Sequence, residues 1–265
     1  MSAITVRKIR FPFDDAVRLD GDDEHLGTLL PVLGLSLTMP YLEPYLIRTM
    51  NAALQEITDP ALAEDVRRFA QQEAHHYKNH ALFNETVRAR FDDATAARLR
   101  AIEAALDDDY QRFTRTKSLR FNVVYAEGFE AMTCAGALAG AAHGAFAPGS
   151  DVPGGELWAW HMAEEIEHRT VAFDVFEHLV GSYPYRLVGS VRAQWHYLSY
   201  VDRLAKEMAR ALGRRPARPR TPMHREMLRR YLQTFSPRYD PAAIELPPAV
   251  PALLARYAAM AELVR

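Results

Sequence analysis

Two Glu-x-x-His units, Glu73 to His76 and Glu165 to His168, constrain this chain more than any other feature. Each unit lies in a long segment with the composition of a helix. On a helix, residues three apart lie about 60° apart on one face. A carboxylate and an imidazole from each helix can therefore bind one metal centre. Two such units, joined by one Glu from each of two further helices, form the ligand set of dimetal-carboxylate bundles.

Candidate partners for these units occur on two other segments with helical character. Glu43 lies in an apolar stretch, where a buried carboxylate needs a partner. Glu127 and Glu130 lie three residues apart on another segment, and both are candidate metal ligands. We favour Glu130 because Val123, seven residues before it, makes its stripe more apolar, while Glu127 remains the alternative. The order Glu, Glu-x-x-His, Glu, Glu-x-x-His then runs through four predicted helices.

Three more side chains lie beside the predicted ligands. His80 and His161 each lie about one helical turn from a Glu-x-x-His unit and share its face. Each is either a neighbour that hydrogen-bonds a ligand, a seventh ligand, or part of a proton relay. Glu164 lies at the edge of the second face. These three residues are the candidate catalytic groups, with Glu164 or one of the histidines as a general base.

The pattern predicts an all-α fold, a ferritin-like four-helix bundle in a single domain over residues 1–265. The core bundle covers about 35–180, accessory helices cover about 185–265, and residues 4–19 form an extended arm. We interpret residues 23–33 as a variable link.

The bundle helices are expected at about 35–57, 58–90, 117–146 and 155–180. A solvent-facing connecting helix is expected at about 94–114. The later helix, at about 185–212, is expected to have an aromatic face that includes Trp195 and Tyr197.

Charge and cysteine content limit the classes of binding partner and the compartment that we expect for this protein. A formal net charge of −2 gives no argument for nucleic acid or an anionic membrane. The single cysteine, Cys134, excludes an internal disulfide and favours a reducing compartment. The N-terminus lacks the pattern of a signal peptide, and no apolar run reaches about 20 residues. We therefore expect a cytoplasmic protein with a small-molecule substrate and no nucleic-acid or membrane partner, and we leave open a homodimer.

Longer motifs surround the two units. They are Gln72-Glu73-Ala74-x-His76 with His80 and Asn84, the run from Trp160 to Asp174, Pro40-x-x-Glu43, and Glu130-x-x-Thr133. Together they resemble the bacterial family called predicted metal-dependent hydrolases, over roughly residues 4–210. Ala131 and Met132 depart from the family's pattern after the third-helix Glu, and Leu42 stands where a Gly is expected. The resemblance implies metal positions at Glu43, Glu73, His76, Glu130, Glu165 and His168.

Two function classes follow from this ligand set. The favoured one is a non-haem di-iron oxidoreductase that activates dioxygen to oxidise a small organic substrate, because carboxylates stabilise iron in its higher oxidation states. The alternative is a hydrolase in which two metal ions activate water, as the family name implies. The cofactor is two metal ions, with iron favoured and manganese or zinc as alternatives. Metal storage is a third class, which the extra helices and Pro-rich C-terminal region disfavour.

Overall fold

A computed structural model describes residues 4–13, 17–145, 152–217 and 221–263, and within these ranges the fold is a bundle of helices without strands. The helices are α1 (Asp23–Ala53), α2 (Pro60–Arg88), α3 (Asp93–Thr116), α4 (Leu119–His143), α5 (Gly155–Glu167), α6 (Val171–Leu179), α7 (Tyr183–Ala211), α8 (Pro222–Thr234) and α9 (Ala249–Leu263). A short 3-10 turn, Pro241–Ala243, lies between α8 and α9. The predicted all-α fold class is confirmed.

Helix α1 begins at Asp23, inside the segment that we interpreted as a link. The Asp22 carboxylate accepts a hydrogen bond from the His25 amide at 2.8 Å and caps the helix. The helix buries a stripe of leucines formed by Leu26, Leu29, Leu30 and Leu33. This spacing of three and four residues has the helical period. The interpretation of residues 23–33 as a link was therefore wrong.

Three prolines, Pro31, Pro40 and Pro44, lie inside α1. Each removes a backbone donor, and an interior proline costs a helix about 3 kcal/mol. Packing of α1 against α2, α3, α4 and α7 offsets this cost. Glu43 lies between the last two prolines and is 1% exposed. The prolines therefore do not end the helix that carries this carboxylate.

Helix α1 is also the one described helix that is long and apolar enough to cross a membrane. Its most apolar window has a mean hydropathy of 1.2, and 56% of that window is buried within the bundle. A buried core helix has the same length and composition, and α1 has such a position against four other helices.

Helix α2 begins as predicted, with the Asp59 carboxylate accepting from the Ala61 amide at 2.8 Å. Helix α3 differs from the expected solvent-facing connector. It buries Leu99, Leu106 and Tyr110 on one face, which packs on α1 and α7. The expectation was wrong because this apolar face is buried, and even one acidic residue of α3, Glu103, is buried in an ion pair with Arg88.

Helices α4 and α7 approach closely at Gly128. A Cβ atom on Gly128 would lie 2.5 Å from the Cα of Ser190, so the absence of a side chain allows the contact. Helix α8 also packs against α4, and α9 packs against α5. Of the predicted aromatic face of α7, Tyr197 is buried, but Trp195 is 80% exposed and points away from the core.

The fourth bundle helix, predicted to run unbroken to about residue 180, is two helices. α5 ends at Glu167, and His168 leaves the helical conformation with φ −93° and ψ 9°. The guanidinium of Arg169 donates to the carbonyl of Ile166 at 2.9 Å, which satisfies an acceptor at the helix end. The break directly follows the second Glu-x-x-His unit.

Residues 4–13 form neither helix nor strand and lie on the body, as predicted for the arm. The Asn79 side chain of α2 holds this segment in place. It donates to the Ile9 carbonyl at 2.9 Å and accepts from the Phe11 amide at 3.1 Å. Ile9 and Phe11 are both buried. The rest of the predicted arm includes residues outside the described ranges.

Candidate metal centre

Four helices bring the six favoured ligand residues together in the interior. α1 supplies Glu43, α2 supplies Glu73 and His76, α4 supplies Glu130, and the end of α5 supplies Glu165 and His168. None of these side chains is more than 4% exposed. Three groups of residues could each hold a metal ion, because the ligand atoms within a group lie within 4.8 Å of one another. They are Glu43, His76 and His161; Glu73, His76 and Glu165; and Glu73, Glu130 and His168.

Glu73 and Glu165 lie between the two histidines. Glu73 Oε1 is 3.5 Å from His76 Nδ1 and 3.6 Å from His168 Nε2. Glu165 directs Oε1 towards His76 at 3.8 Å and Oε2 towards His168 at 3.5 Å. Both carboxylates can therefore bridge two cation positions. Glu43 lies on the side of one position, and Glu130, 3.3 Å from His168 Nε2, lies on the side of the other.

Buried polar atoms that lack a hydrogen-bond partner show whether this cluster is suited to metal ions. Among the described residues, buried atoms without a hydrogen-bond partner include both oxygens of Glu43 and of Glu73, Oε1 of Glu130, Oε2 of Glu165, Nδ1 of His76 and Nε2 of His168. Buried polar atoms are rarely left unsatisfied, because each costs about 1–3 kcal/mol. Here they belong to carboxylates and imidazoles, the donors that iron, manganese and zinc accept. The residues fit a metal centre.

Burial and like charge perturb the four carboxyl groups. Burial, with the neighbouring Glu165 carboxylate, raises the pKa of Glu73 to about 8, and the same causes raise the pKa of Glu130 to about 8. Burial, followed by the charge of Glu73, raises the pKa of Glu43 well above its usual value. Burial also acts to raise the pKa of Glu165, but the charge of His168 and hydrogen bonds outweigh it and lower this pKa. Cations at the centre would take the place of these protons.

Glu127, the other candidate on α4, lies outside this cluster. Its Oε1 accepts from Arg186 Nη1 at 3.2 Å, and its Oε2 accepts from the Ser190 hydroxyl at 2.9 Å. Burial raises the pKa of Glu127 and Arg186 opposes that shift. Glu130 is therefore the α4 carboxylate at the centre, and Glu127 joins α4 to α7.

Glu164 lies behind His76 and does not join any of the candidate ligand groups. Its Oε2 is 3.0 Å from His76 Nε2, and its Oε1 accepts from Arg7 Nη1 at 2.9 Å. A hydrogen bond from His76 Nε2–H to this carboxylate leaves Nδ1 free to face the centre. Glu164 therefore orients His76, a predicted ligand, while its predicted role as a general base stays a prediction.

His168 is oriented in the same way by residues for which the sequence predicted no role at the centre. Its Nδ1 is 2.9 Å from Gln72 Oε1, which leaves Nε2 towards the centre. Gln72 Nε2 donates to Glu167 at 2.7 Å, and Glu167 forms two hydrogen bonds with Arg7, at 2.8 and 2.9 Å. Arg7 of the arm thus supports both histidines. Its contacts with α5 span about 160 residues, and no local pattern points to them.

His80 and His161 lie next to each other at the inner side of the centre. His161 Nε2 is 2.9 Å from Glu165 Oε1 and 3.5 Å from Glu43 Oε1. His80 Nε2 is 2.7 Å from His161 Nδ1, and its Nδ1 contacts Ser36. Burial lowers the pKa of both imidazoles. His161 therefore faces the carboxylates directly, and His80 touches the centre only through His161.

A cavity of about 540 Å³ lies between α4 and α8, and the Pro-rich segment before α9 lines one side of it. Ala131 and Cys134, one and four residues after Glu130 in the sequence, line its α4 side. The opposite wall includes Arg229 and Arg230. Its lining is mainly apolar, and Arg229, Arg230 and Glu245 place charges of both signs at its border.

Residues 5–245 match the model of a protein family described as predicted metal-dependent hydrolase. The match covers most of the chain and includes every residue of the metal cluster, together with Arg7. The chain belongs to this family. Searches of curated proteins and of solved structures give no match.

Membership in the predicted metal-dependent hydrolase family confirms the resemblance found in the motifs. Its description agrees with the alternative of hydrolysis better than with our favoured oxidation of an organic substrate. The match ends at residue 245, so helix α9 lies beyond the part that identifies the family. Metal binding by the individual residues of the cluster stays a prediction.

Proposed function

We propose that the protein is a hydrolase that acts on an ester, amide or phosphate bond of a small molecule at a dinuclear metal centre. The observation that carries the proposal is the convergence of buried, unsatisfied ligand atoms from four helices in a chain of this family. The residues that would hold the ions are Glu43, Glu73, His76, Glu130, Glu165 and His168. The ions are iron, manganese or zinc, according to the donor types.

Bound at this centre, two divalent ions would polarise the scissile bond and activate water at neutral pH. The protein's own residues hold the arrangement. Glu73 and Glu165 each face both histidines and can share their oxygens between the two positions. Glu164 and Gln72 each occupy the outer nitrogen of a histidine and keep its inner nitrogen available.

The cavity between α4 and α8 is our candidate for the substrate pocket. Its volume of about 540 Å³ falls within the usual range for small-molecule sites. The small side chains of Ala131 and Cys134 leave space on the α4 side next to Glu130. Arg229 and Arg230 add positive charge at the far wall, although both also pair with Glu226. Because Glu245 also lines the cavity, the charges there offset one another, and an apolar substrate fits this lining.

A di-iron oxidoreductase is the second candidate, and the donor set favours it. The cluster contains four carboxylates that face two histidines of the Glu-x-x-His units, which is the ligand set of di-iron bundles. Metal identity separates the two functions. Two iron ions with an optical spectrum that bleaches on reduction and returns with oxygen support oxidation, whereas redox-inactive ions with hydrolytic turnover support the hydrolase.

The test compares two buried carboxylates on α4, three residues apart. Glu130→Gln should lose at least one bound ion and hydrolytic turnover on a panel of ester, amide and phosphate substrates. Glu127→Gln should keep both ions and turnover, because Glu127 pairs with Arg186 outside the cluster. Metal content is measured by elemental analysis after dialysis. Equal metal content in the two variants, or no hydrolysis of any substrate by the metal-loaded wild-type protein, would contradict the proposal.

A further inference from the structure

His161 meets the cluster in the same way as the two histidines of the Glu-x-x-His units. Each of the three directs one nitrogen at carboxylate oxygens of the centre, at distances from 2.9 to 3.8 Å. Each also has its other nitrogen occupied by a partner outside: Glu164 for His76, Gln72 for His168, and His80 for His161. A histidine that binds a metal typically has such an outer partner. His80 differs, because both of its nitrogens contact residues away from the carboxylates.

The tautomer of His161 follows from a chain of hydrogen bonds that starts at Asn84. Asn84 Nδ2 donates to the Ser36 carbonyl at 2.8 Å, so its Oδ1 is the atom that faces the Ser36 hydroxyl at 2.6 Å. Oδ1 can only accept, so the Ser36 hydroxyl donates its single proton to it. The Ser36 oxygen, 2.8 Å from His80 Nδ1, must then accept the Nδ1–H of His80.

His80 is neutral, which fixes the next step. It is fully buried, and among the described residues its hydrogen-bond partners are Ser36 and His161, with no carboxylate. A buried imidazolium without a carboxylate partner would be costly. With its proton on Nδ1, His80 presents a lone pair at Nε2. His161 Nδ1, 2.7 Å away, therefore donates to it. The nitrogen of His161 that faces Glu43 and Glu165 is Nε2. With the proton of the neutral imidazole on Nδ1, Nε2 has the lone pair.

We infer that His161 is a third nitrogen ligand of the metal centre, bound through Nε2, and that Asn84, Ser36 and His80 hold it in the required tautomer. The inference rests on the proposed metal centre but not on hydrolysis. It makes the two positions unequal. The Glu43 side has the nitrogens of His76 and His161, while the Glu130 side has His168. Imidazole suits iron, zinc and other late first-row ions, so the Glu43 side should bind such an ion more tightly.

The probe is Co²⁺, whose absorption reports its ligands, added to the metal-free protein. The wild-type protein should bind two ions in two resolved steps. His161→Ala should weaken the tighter step by about 100-fold or more, since even loss of an outer partner costs about 10–100-fold. The absorption of that ion should change, and added imidazole should restore it. His75→Ala, a half-buried histidine on α2 outside the ligand groups, is the matched control and should bind as wild type does.

Ser36→Ala tests the chain that fixes the tautomer without touching a ligand. It should weaken the tighter ion by about 10-fold or more and leave the other ion unchanged. Two bound ions with wild-type affinity and spectrum in His161→Ala would overturn the inference, and so would a loss that imidazole leaves uncorrected while the circular dichroism stays native. A wild-type protein that binds two ions but hydrolyses nothing defeats the proposed function alone. A wild-type protein that binds no Co²⁺ defeats both.

Discussion

Arg7 offers a test of how the N-terminal arm supports the metal centre. Its guanidinium is 4% exposed and contacts Glu164 at 2.9 Å and Glu167 at 2.8 Å. Arg7→Met keeps most of the volume of the side chain and removes its charge. Glu164, which is fully buried, and Glu167 then lose their cation. Breaking a buried ion pair by removing one partner costs about 3–5 kcal/mol.

This loss converts into two measurable changes. At about 2–4 °C per kcal/mol for a chain of this size, the metal-free protein should melt about 6–20 °C lower. The two carboxylates also hold the two metal-facing histidines in place. Glu164 contacts His76 directly, and Glu167 accepts from Gln72, which in turn contacts His168. Both ions should therefore bind about 10–100-fold more weakly, because outer partners of ligating histidines have effects of this size.

Thermal unfolding and competition with a chelator measure these changes. Arg10→Met, an exposed arginine on the same arm, is the control and should match the wild-type protein in both assays. Arg7→Lys should recover part of the stability, since it keeps the charge but not the paired hydrogen bonds to Glu167. If Arg7→Met melts within 2 °C of Arg10→Met and binds metal equally well, the arm does not support the centre.

Two further predictions concern helix packing and proton release. Gly128→Ala should destabilise the protein by about 1–3 kcal/mol, because its Cβ would lie 2.5 Å from the Cα of Ser190. Gly136→Ala, whose nearest neighbour would be 4.0 Å away, should gain about 0.5–1 kcal/mol, and chemical denaturation that reverses this order refutes the packing. Glu73 and Glu130, each with a pKa of about 8, hold protons below that pH in the metal-free protein. Metal affinity should therefore rise with pH up to about pH 8, and calorimetry at pH 7 that detects no proton release would show the pKa reasoning to be incorrect.

The clustering of the candidate ligands could be predicted from the sequence because their spacing follows the helical period. Glu73 and His76, like Glu165 and His168, are three residues apart, so any helix places them on one face. The structure brings both pairs together. The choice of Glu130 over Glu127 rested on one apolar residue a heptad earlier. The contact that separates them, the pairing of Glu127 with Arg186 on a distant helix, leaves no local trace in the sequence.

Helix boundaries were predicted less well where local signals conflict with packing. The prolines of α1 made its first part look irregular, while the burial of its leucines sustains the helix from Asp23. The break after α5 contains neither Gly nor Pro, and the side chain of Arg169 donates to a free carbonyl at the helix end there. Trp195 has a large aromatic side chain of the kind usually found in a core, but it lies on the exposed face of α7. Tertiary context decided each of these cases.

The residues around the ligands were the hardest to predict. Gln72 and Glu167 lie outside the stripe of ligands, and Arg7 lies in a segment without secondary structure. Their roles depend on contacts between parts of the chain that are far apart in sequence. Hydrophobic periodicity does not predict such contacts. His161 was predicted to be a neighbour of the centre or a seventh ligand, and the sequence could not choose between these because the contact of Ser36 with His80 joins two distant helices.

Metal stoichiometry of the wild-type protein tests the central claim most directly. The metal-free protein is dialysed against excess Fe²⁺, Mn²⁺ or Zn²⁺ in separate anaerobic experiments, then against metal-free buffer, and the retained metal is measured by elemental analysis. The arrangement of Glu73 and Glu165 between two positions predicts two retained ions per chain for at least one of these metals. Retention of no ion with all three metals by a correctly folded protein would contradict the account.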